Sequence, residues 1–337
     1  MEVGRRKFFG LGVLGGLTGY AAGLGWTRAK ANTDATHAAD SVPNNIEFCG
    51  DAGRAGVYSA RSLPPLYLPP DALDKVHTPP PFAKRDGKQV HDIDLKVMAG
   101  SREVGRGANV ETWTYNGTAP GPVIRATLGD TLKIKFTNET TCRHSLHFHG
   151  SHDVTQDGWQ SVQPEETRLY EIEASPVGFH PYHCHTPPFA SHMSRGMYGV
   201  LIVDPPDGRP PAHEFVLCLV GWDIDNDSRN EIYAWNGIAG FYELYPLRVP
   251  VGELVRLYLM NFVEYEPVGS FHLHAQTFDV YRSGTSLTPQ EHTDVITLGP
   301  TERAIIEFRL PRRGRYMFHP HQTWMAEKGA MGWITAI

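Results

Sequence analysis

HPYHCHTPPFASHMSRGM, residues 180–197, is answered near the C-terminus by HPHQTWMAEKGAM, residues 319–331. A cysteine stands between two histidines in the first, and a proline takes its place in the second. On an extended strand, residues i and i+2 share a face and the residue between them points to the other. His183 and His185 are therefore expected on one face and Cys184 on the opposite one. One strand can then serve two metal sites and join them through a few bonds.

Partners for a Cys184 thiolate lie close in sequence: His144 upstream, His192 and Met197 downstream. Two imidazoles, a thiolate and a weak thioether make the ligand set of a blue-copper electron-transfer site. In the later stretch Pro320 replaces the cysteine, and Gly269, three before His272, stands where His144 stands three before His147. Met331 is expected to be the one surviving equivalent, and it cannot make a site alone. The later copy should keep its histidine face and lack the sulfur face.

The chain holds 17 histidines in 337 residues. Chance spacing would give about one His-x-His by simple counting. The sequence has His147/His149, His183/His185, His272/His274 and His319/His321. Side-by-side imidazoles at matched places suit metal binding.

The surrounding texture is that of short strands. Leu132, Ile134 and Phe136 alternate with polar residues between Gly129-Asp130 and Asn138, the period of a half-buried strand. NGTAPGPVIRATLGDTLKIKFTN at 116–138 is echoed by NGIAGFYELYPLRVPVGELVRLYLMN at 236–261. Two copies of one β-sandwich follow, joined near DPPDGRPP at 204–211, so an all-β fold is expected with domains at 91–206 and 212–337.

Paired Arg5 and Arg6, an apolar run through Leu24 and the small-x-small site Ala29-Lys30-Ala31 read as a twin-arginine export signal over residues 1–31. A periplasmic or extracellular protein without stable membrane insertion is expected. Residues 32–90 are rich in Pro, Ala and Asp, and should run extended over a domain or stay loose. A hydrophobic fraction of 41%, a charged fraction of 20% and a net charge of -6 fit a folded soluble protein and give no basic footprint, so no nucleic-acid partner is expected.

HSLHFHG at 144–150, HCHTPPFASHMSRGM at 183–197, HLH at 272–274 and HPH at 319–321 resemble the multicopper oxidases, specifically the two-domain, laccase-like members with a blue copper in the first domain. The resemblance spans residues 91–337 and implies two cupredoxin-like Greek-key sandwiches. It implies that His144, Cys184, His192 and Met197 hold a type 1 copper and that His147 and His272 hold a type 2 copper. His149, His183, His185, His274, His319 and His321 would hold a type 3 pair, for about four coppers per chain. It also implies a homotrimer whose clusters lie between subunits, dioxygen as acceptor, and a small-molecule or metal-ion electron donor, phenols or aromatic amines by default. Asp157, in HGSHDVTQDG, resembles the family's acidic proton donor, and equally suits a turn before Gly158.

The interval from Cys184 to His192 looks more like copper nitrite reductase, the enzymatic rival. That relative carries an aspartate at the place of His147 and a non-ligand at the place of His185. A non-catalytic periplasmic copper or electron-transfer protein is the rival outside enzymes; it would leave the histidine pairs or the Cys-His-Met set unexplained. His152 and His180 flank the clusters as supporting or surface residues, while His37, His77, His91, His213 and His292 have no partner in sequence. Cys49, Cys142 and Cys218 permit at most one disulfide, with the pairing open.

Overall fold

The strand Thr131–Asn138 shows how this sequence makes its sheets. Leu132, Ile134 and Phe136 are at most 1% exposed, while Lys133 and Lys135 between them face solvent. Alternation of this kind places one face on a core and the other in water. The computed structural model describes residues 66–84 and 86–337; the export signal, His37 and Cys49 lie outside the described residues.

The first sandwich packs two four-stranded sheets. One runs Ala108–Tyr115, Val90–Gly105, Thr131–Asn138 and Thr167–Glu173, and the other Val123–Thr127, Tyr198–Asp204, Gly178–His183 and His147–Phe148. The second sandwich packs a six-stranded sheet centred on His213–Trp222, Leu254–Asn261 and Arg303–Arg309 against a five-stranded one. In that second sheet Gly332–Ala336, Gly314–His319 and Gly269–Leu273 lie side by side. Each sandwich mixes antiparallel pairs with matching parallel ones, Val90–Gly105 on Thr131–Asn138 and His213–Trp222 on Leu254–Asn261.

The repeat seen in sequence is a repeat in conformation. Asn116 and Asn236 both have φ of 55°, and each is followed by a positive-φ glycine. Both open a two-residue turn closed by the bridges Tyr115 to Thr118 and Trp235 to Ile238. Asparagine followed by glycine is favoured there because both central residues need the left-handed region.

A shared core joins the sandwiches. Tyr198 stacks on Phe262 at 4.5 Å and Phe179 meets Tyr258 at 5.3 Å, with Trp222 fully buried beside them. A buried ionic chain crosses the same boundary. Arg125 bonds Asp204 at 2.6 Å and Glu214 at 2.6 Å, and Glu214 accepts from Arg256 at 2.8 Å.

The Pro-rich segment is less loose than its composition implies. Its described part carries the short helix Asp74–His77, which seats Leu73 and Val76 in the core of the second sandwich at 1% and 4% exposure. His77, expected to stand alone, faces the Tyr242 hydroxyl at 3.1 Å. Leu66 and Leu68 pack against the same core, so a few well-placed apolar side chains help dock a segment rich in Pro, Ala and Asp. Cys142, Cys184 and Cys218 are free thiols, so no disulfide occurs among the described residues.

Candidate metal centre

Each sandwich brings two His-x-His pairs together by strand register. His147 pairs with His183 across antiparallel strands, and His272 pairs with His319 in the same way. The first histidine of each pair lies in a strand, while the second falls just beyond its end. The strand rule applied to His183 and His185 thus holds in part: the second histidine of each pair sits where its strand has stopped.

The two quartets share their detail. His149 Nε2 lies 3.0 Å from His183 Nε2, and His274 Nε2 lies 3.0 Å from His319 Nε2. His185 and His321 complete them, with ring centres 5.5 Å from His147 and 5.2 Å from His272. His147, His183, His272 and His319 direct Nδ1 at backbone oxygens of Asp157, Cys184, Asp294 and Pro320, at 2.8–3.0 Å. A proton held on Nδ1 leaves Nε2 free as a donor atom, the arrangement that fixes a metal-binding tautomer. Ser145 Oγ accepts the His185 N–H and Ser270 Oγ accepts the His321 N–H, both at 2.7 Å.

The sulfur face exists in the first sandwich alone. Cys184 Sγ is 3.3 Å from His192 Nδ1, and the Nδ1 atoms of His144 and His192 are 3.1 Å apart. Donors sharing one ion at about 2.0–2.3 Å each stand about this far apart. The Ser145 N–H also donates to Cys184 Sγ at 3.3 Å. Met197 is fully buried in the same core cluster, and its carbonyl accepts the Cys184 N–H at 3.0 Å. His192 is presented by the short helix Phe189–Met193.

The hydrogen-bond pattern revises one equivalence. Met197 N–H donates to the His192 carbonyl, and Ala330 N–H donates to the Met325 carbonyl. Ala330 therefore takes the place of Met197, and Met325 that of His192; Met331 has no such part. Both replacements are fully buried and apolar. A Cβ added at Gly269 would meet Leu219 at 2.8 Å and Asn261 at 3.1 Å, so the place of His144 is filled by neighbours.

Burial favours the neutral form of six of these imidazoles. It lowers His144, helped by His192, and His149, helped by His183, each to a pKa of about 3. His183 and His192 fall to about 4, again chiefly through burial. His274 and His319 are lowered for the same reason. Neutral imidazole is the form that binds a metal.

Asp157 lies beside the first quartet. It closes the 3-10 turn Val154–Gln156, and its Oδ1 lies 3.3 Å from both His147 Nδ1 and His152 Nε2. Gly158 permits this approach, since a Cβ there would overlap the Leu146 carbonyl. A cavity of about 480 Å3 lies alongside, lined by His147, His149, His152, Asp157, His180 and Arg303. His180 accepts from Arg303 at Nδ1, 3.4 Å away, and donates from Nε2 to Pro176 O at 2.9 Å. The larger cavity, about 570 Å3, is lined by Asp92, Lys133, Leu169 and Glu171 and has no histidine in its wall.

Sequence reasoning missed Ser145, Ser270, Asp294 and Arg303. The serines were visible as Ser-x-His-x-His in both repeats, HSLHFH and GSFHLH. Asp294 and Arg303 carry no spacing motif.

Residues 96–208 match the multicopper oxidase family, and residues 223–336 match it a second time. A crystal structure of a multicopper oxidase is 39% identical, covers 80% of this chain and 97% of its own, and superposes with a TM-score of 0.74. A copper nitrite reductase from Nitrosomonas europaea is 29% identical over 74% of this chain and 94% of its own, with a TM-score of 0.68. The copper-containing nitrite reductase of Neisseria meningitidis is 28% identical over 287 residues, 76% of this chain and 72% of that protein. With two cupredoxin-type sandwiches and two matches that together span most of its length, the chain belongs to the multicopper oxidases, a family of copper-dependent oxidoreductases.

Proposed function

We propose that the protein is laccase-like, taking electrons singly from a reducing donor at the Cys184 site and passing four to dioxygen, which becomes water. Phenols and aromatic amines are the default donors; ferrous or cuprous ions are the alternative class. The observation that carries this reading is the completeness of the second quartet, His272, His274, His319 and His321, which matches the first in its ring contacts and backbone hydrogen bonds. A simpler copper protein has no use for eight imidazoles.

Bound copper supplies one-electron redox chemistry and a place for dioxygen. His144, Cys184, His192 and Met197 would hold a type 1 ion, and their donor spacing and burial suit it. His147 and His272 would hold a type 2 ion, and the other six quartet histidines a type 3 pair. Cys184 is bonded through the backbone to His183 and His185, which gives a short covalent path between the faces. Asp157, beside His147, His152 and the cavity, can hold a proton for the oxygen chemistry.

Within one chain His147, His149 and His183 form one cluster and His272, His274 and His319 another. Their separation supports a head-to-tail homotrimer in which each cluster is closed by a neighbouring subunit. Domains at 91–206 and 212–337 and export through the Arg5-Arg6 signal complete the proposal. No helix among the described residues is long and apolar enough to cross a membrane.

Nitrite reduction is the second reading, favoured by the likeness to the Neisseria and Nitrosomonas enzymes. Copper content, the visible spectrum and parallel assays of dioxygen uptake and nitrite reduction separate the two. About four coppers per chain, an intense blue band and dioxygen uptake are expected. About two coppers with nitrite turnover and no dioxygen uptake would replace the oxidase reading.

A further inference from the structure

The sulfur site is sealed from solvent. His144 and Met197 are 0% exposed, Cys184 is 1% exposed and His192 5%. His144 Nε2 is buried without a hydrogen-bond partner. An external donor has almost no ligand surface to touch, so electrons must cross a side chain packed on the ligands. Among the described residues, one aromatic ring contacts both imidazoles. The Trp113 indole lies 5.0 Å from the His144 ring and 4.9 Å from the His192 ring, measured between centres.

Trp113 is half-buried and is held on several sides. Its backbone N–H donates to the Arg195 carbonyl at 2.9 Å, and the Arg195 guanidinium stands 4.7 Å above its ring centre. Arg195 in turn donates to Asn226 Oδ1, on the second sandwich, at 2.8 Å. Phe189 is exposed and its ring centre lies 4.5 Å from that of a site histidine, but that histidine is His185, on the opposite face from the sulfur.

We propose that Trp113 is the electron entrance of the Cys184 site, with Arg195 holding the indole against the two imidazoles. The inference rests on the reading of that site as the electron acceptor. A donor meeting the Trp113–Arg195 edge would lose one electron, and a copper held by His144, Cys184, His192 and Met197 would gain it. Trp113 begins and ends neutral. Electron tunnelling weakens steeply across empty gaps, so a large ring in contact with both ligands carries the coupling better than a small side chain. A cation over the ring attracts its π electrons and disfavours an indole cation, so the ring acts as a bridge.

The test is stopped-flow mixing of copper-loaded protein with hexacyanoferrate(II) without oxygen, reading bleaching of the visible band, followed by reoxidation with dioxygen. Trp113→Leu should slow bleaching by on the order of tenfold, about 1.4 kcal/mol of barrier, with Trp113→Phe in between and Arg195→Met weaker. Band position and reoxidation rate should stay unchanged. In apo protein, quenching of tryptophan fluorescence on titration with Cu(II) should lose a share in Trp113→Phe. Wild-type bleaching in the leucine variant would overturn the proposal. So would a shifted band, or equal slowing of bleaching and reoxidation, either of which marks a structural role. If Trp113→Leu does not fold, Trp113→Phe and Arg195→Met decide by the same criteria. A wild-type protein without any blue band would instead sink the underlying reading of the Cys184 site.

Discussion

Residues 183–185 and 319–321 end the same strand in two copies of one sandwich, and they differ most on the side that faces the core. Outside the sheet, both present imidazoles in the same register with the same serine and carbonyl partners. Inside, the first copy holds Cys184, His144 and His192 with ligand atoms within 4.8 Å of one another, while the second holds buried Pro320, Met325 and Ala330. A histidine face at a strand end can thus be kept while the layer beneath it becomes ordinary core. The second sandwich also gains packing from Leu73 and Val76 of the preceding segment.

The largest expected effect comes from erasing this difference in the first copy. Cys184→Ser should abolish the blue band and donor oxidation, because a hydroxyl is a poor substitute for a thiolate on copper. The histidine quartets should retain part of the copper, measured by elemental analysis. Retained activity with phenolic donors would break the link between the two faces.

Transplanting the sulfur face is the converse experiment. Gly269→His with Pro320→Cys and Met325→His places similar donors in the second copy. No second blue band is expected, because Leu219 and Asn261 already fill the space at position 269. The overpacking should cost about 1–3 kcal/mol in denaturant unfolding. A stable triple variant with a doubled blue band would show that donor identity alone makes the site.

A smaller effect concerns the docked segment. Burial lowers the His77 pKa below 6.5, against a weaker opposing pull from Asp74. The unfolded chain then binds the proton more readily, so this group's contribution to stability is whole above pH 6.5 and declines as pH falls through that value and below. His77→Gln should flatten the acid-side slope of the unfolding midpoint relative to wild type. An unchanged slope would remove His77 from the account.

Much of this was legible in the chain itself. The alternation of Leu132, Ile134 and Phe136, the paired Asn-Gly turns and the four His-x-His pairs are local patterns, and local patterns survive in a linear text. The true counterparts of Met197 and His192 were not legible. A small insertion between strand and helix shifts the numbering, and only the hydrogen bonds from Met197 and Ala330 reveal the register. The docking of Leu73 and Val76 was hidden for a related reason, since average composition does not say which two side chains meet a groove.

Residue chemistry and spacing alone determined an all-β repeat protein with histidines poised for metal and one sulfur site in the first copy. Period-two alternation and the i, i+2 rule act over a few residues and need no knowledge of neighbours. Tertiary structure decided what surrounds those residues. It set His147 against His183 and His272 against His319, buried Cys184 and laid Trp113 on the His144 and His192 rings, and filled the second inner face with apolar side chains. Such contacts join residues far apart in the chain, and close packing of the whole sandwich selects them.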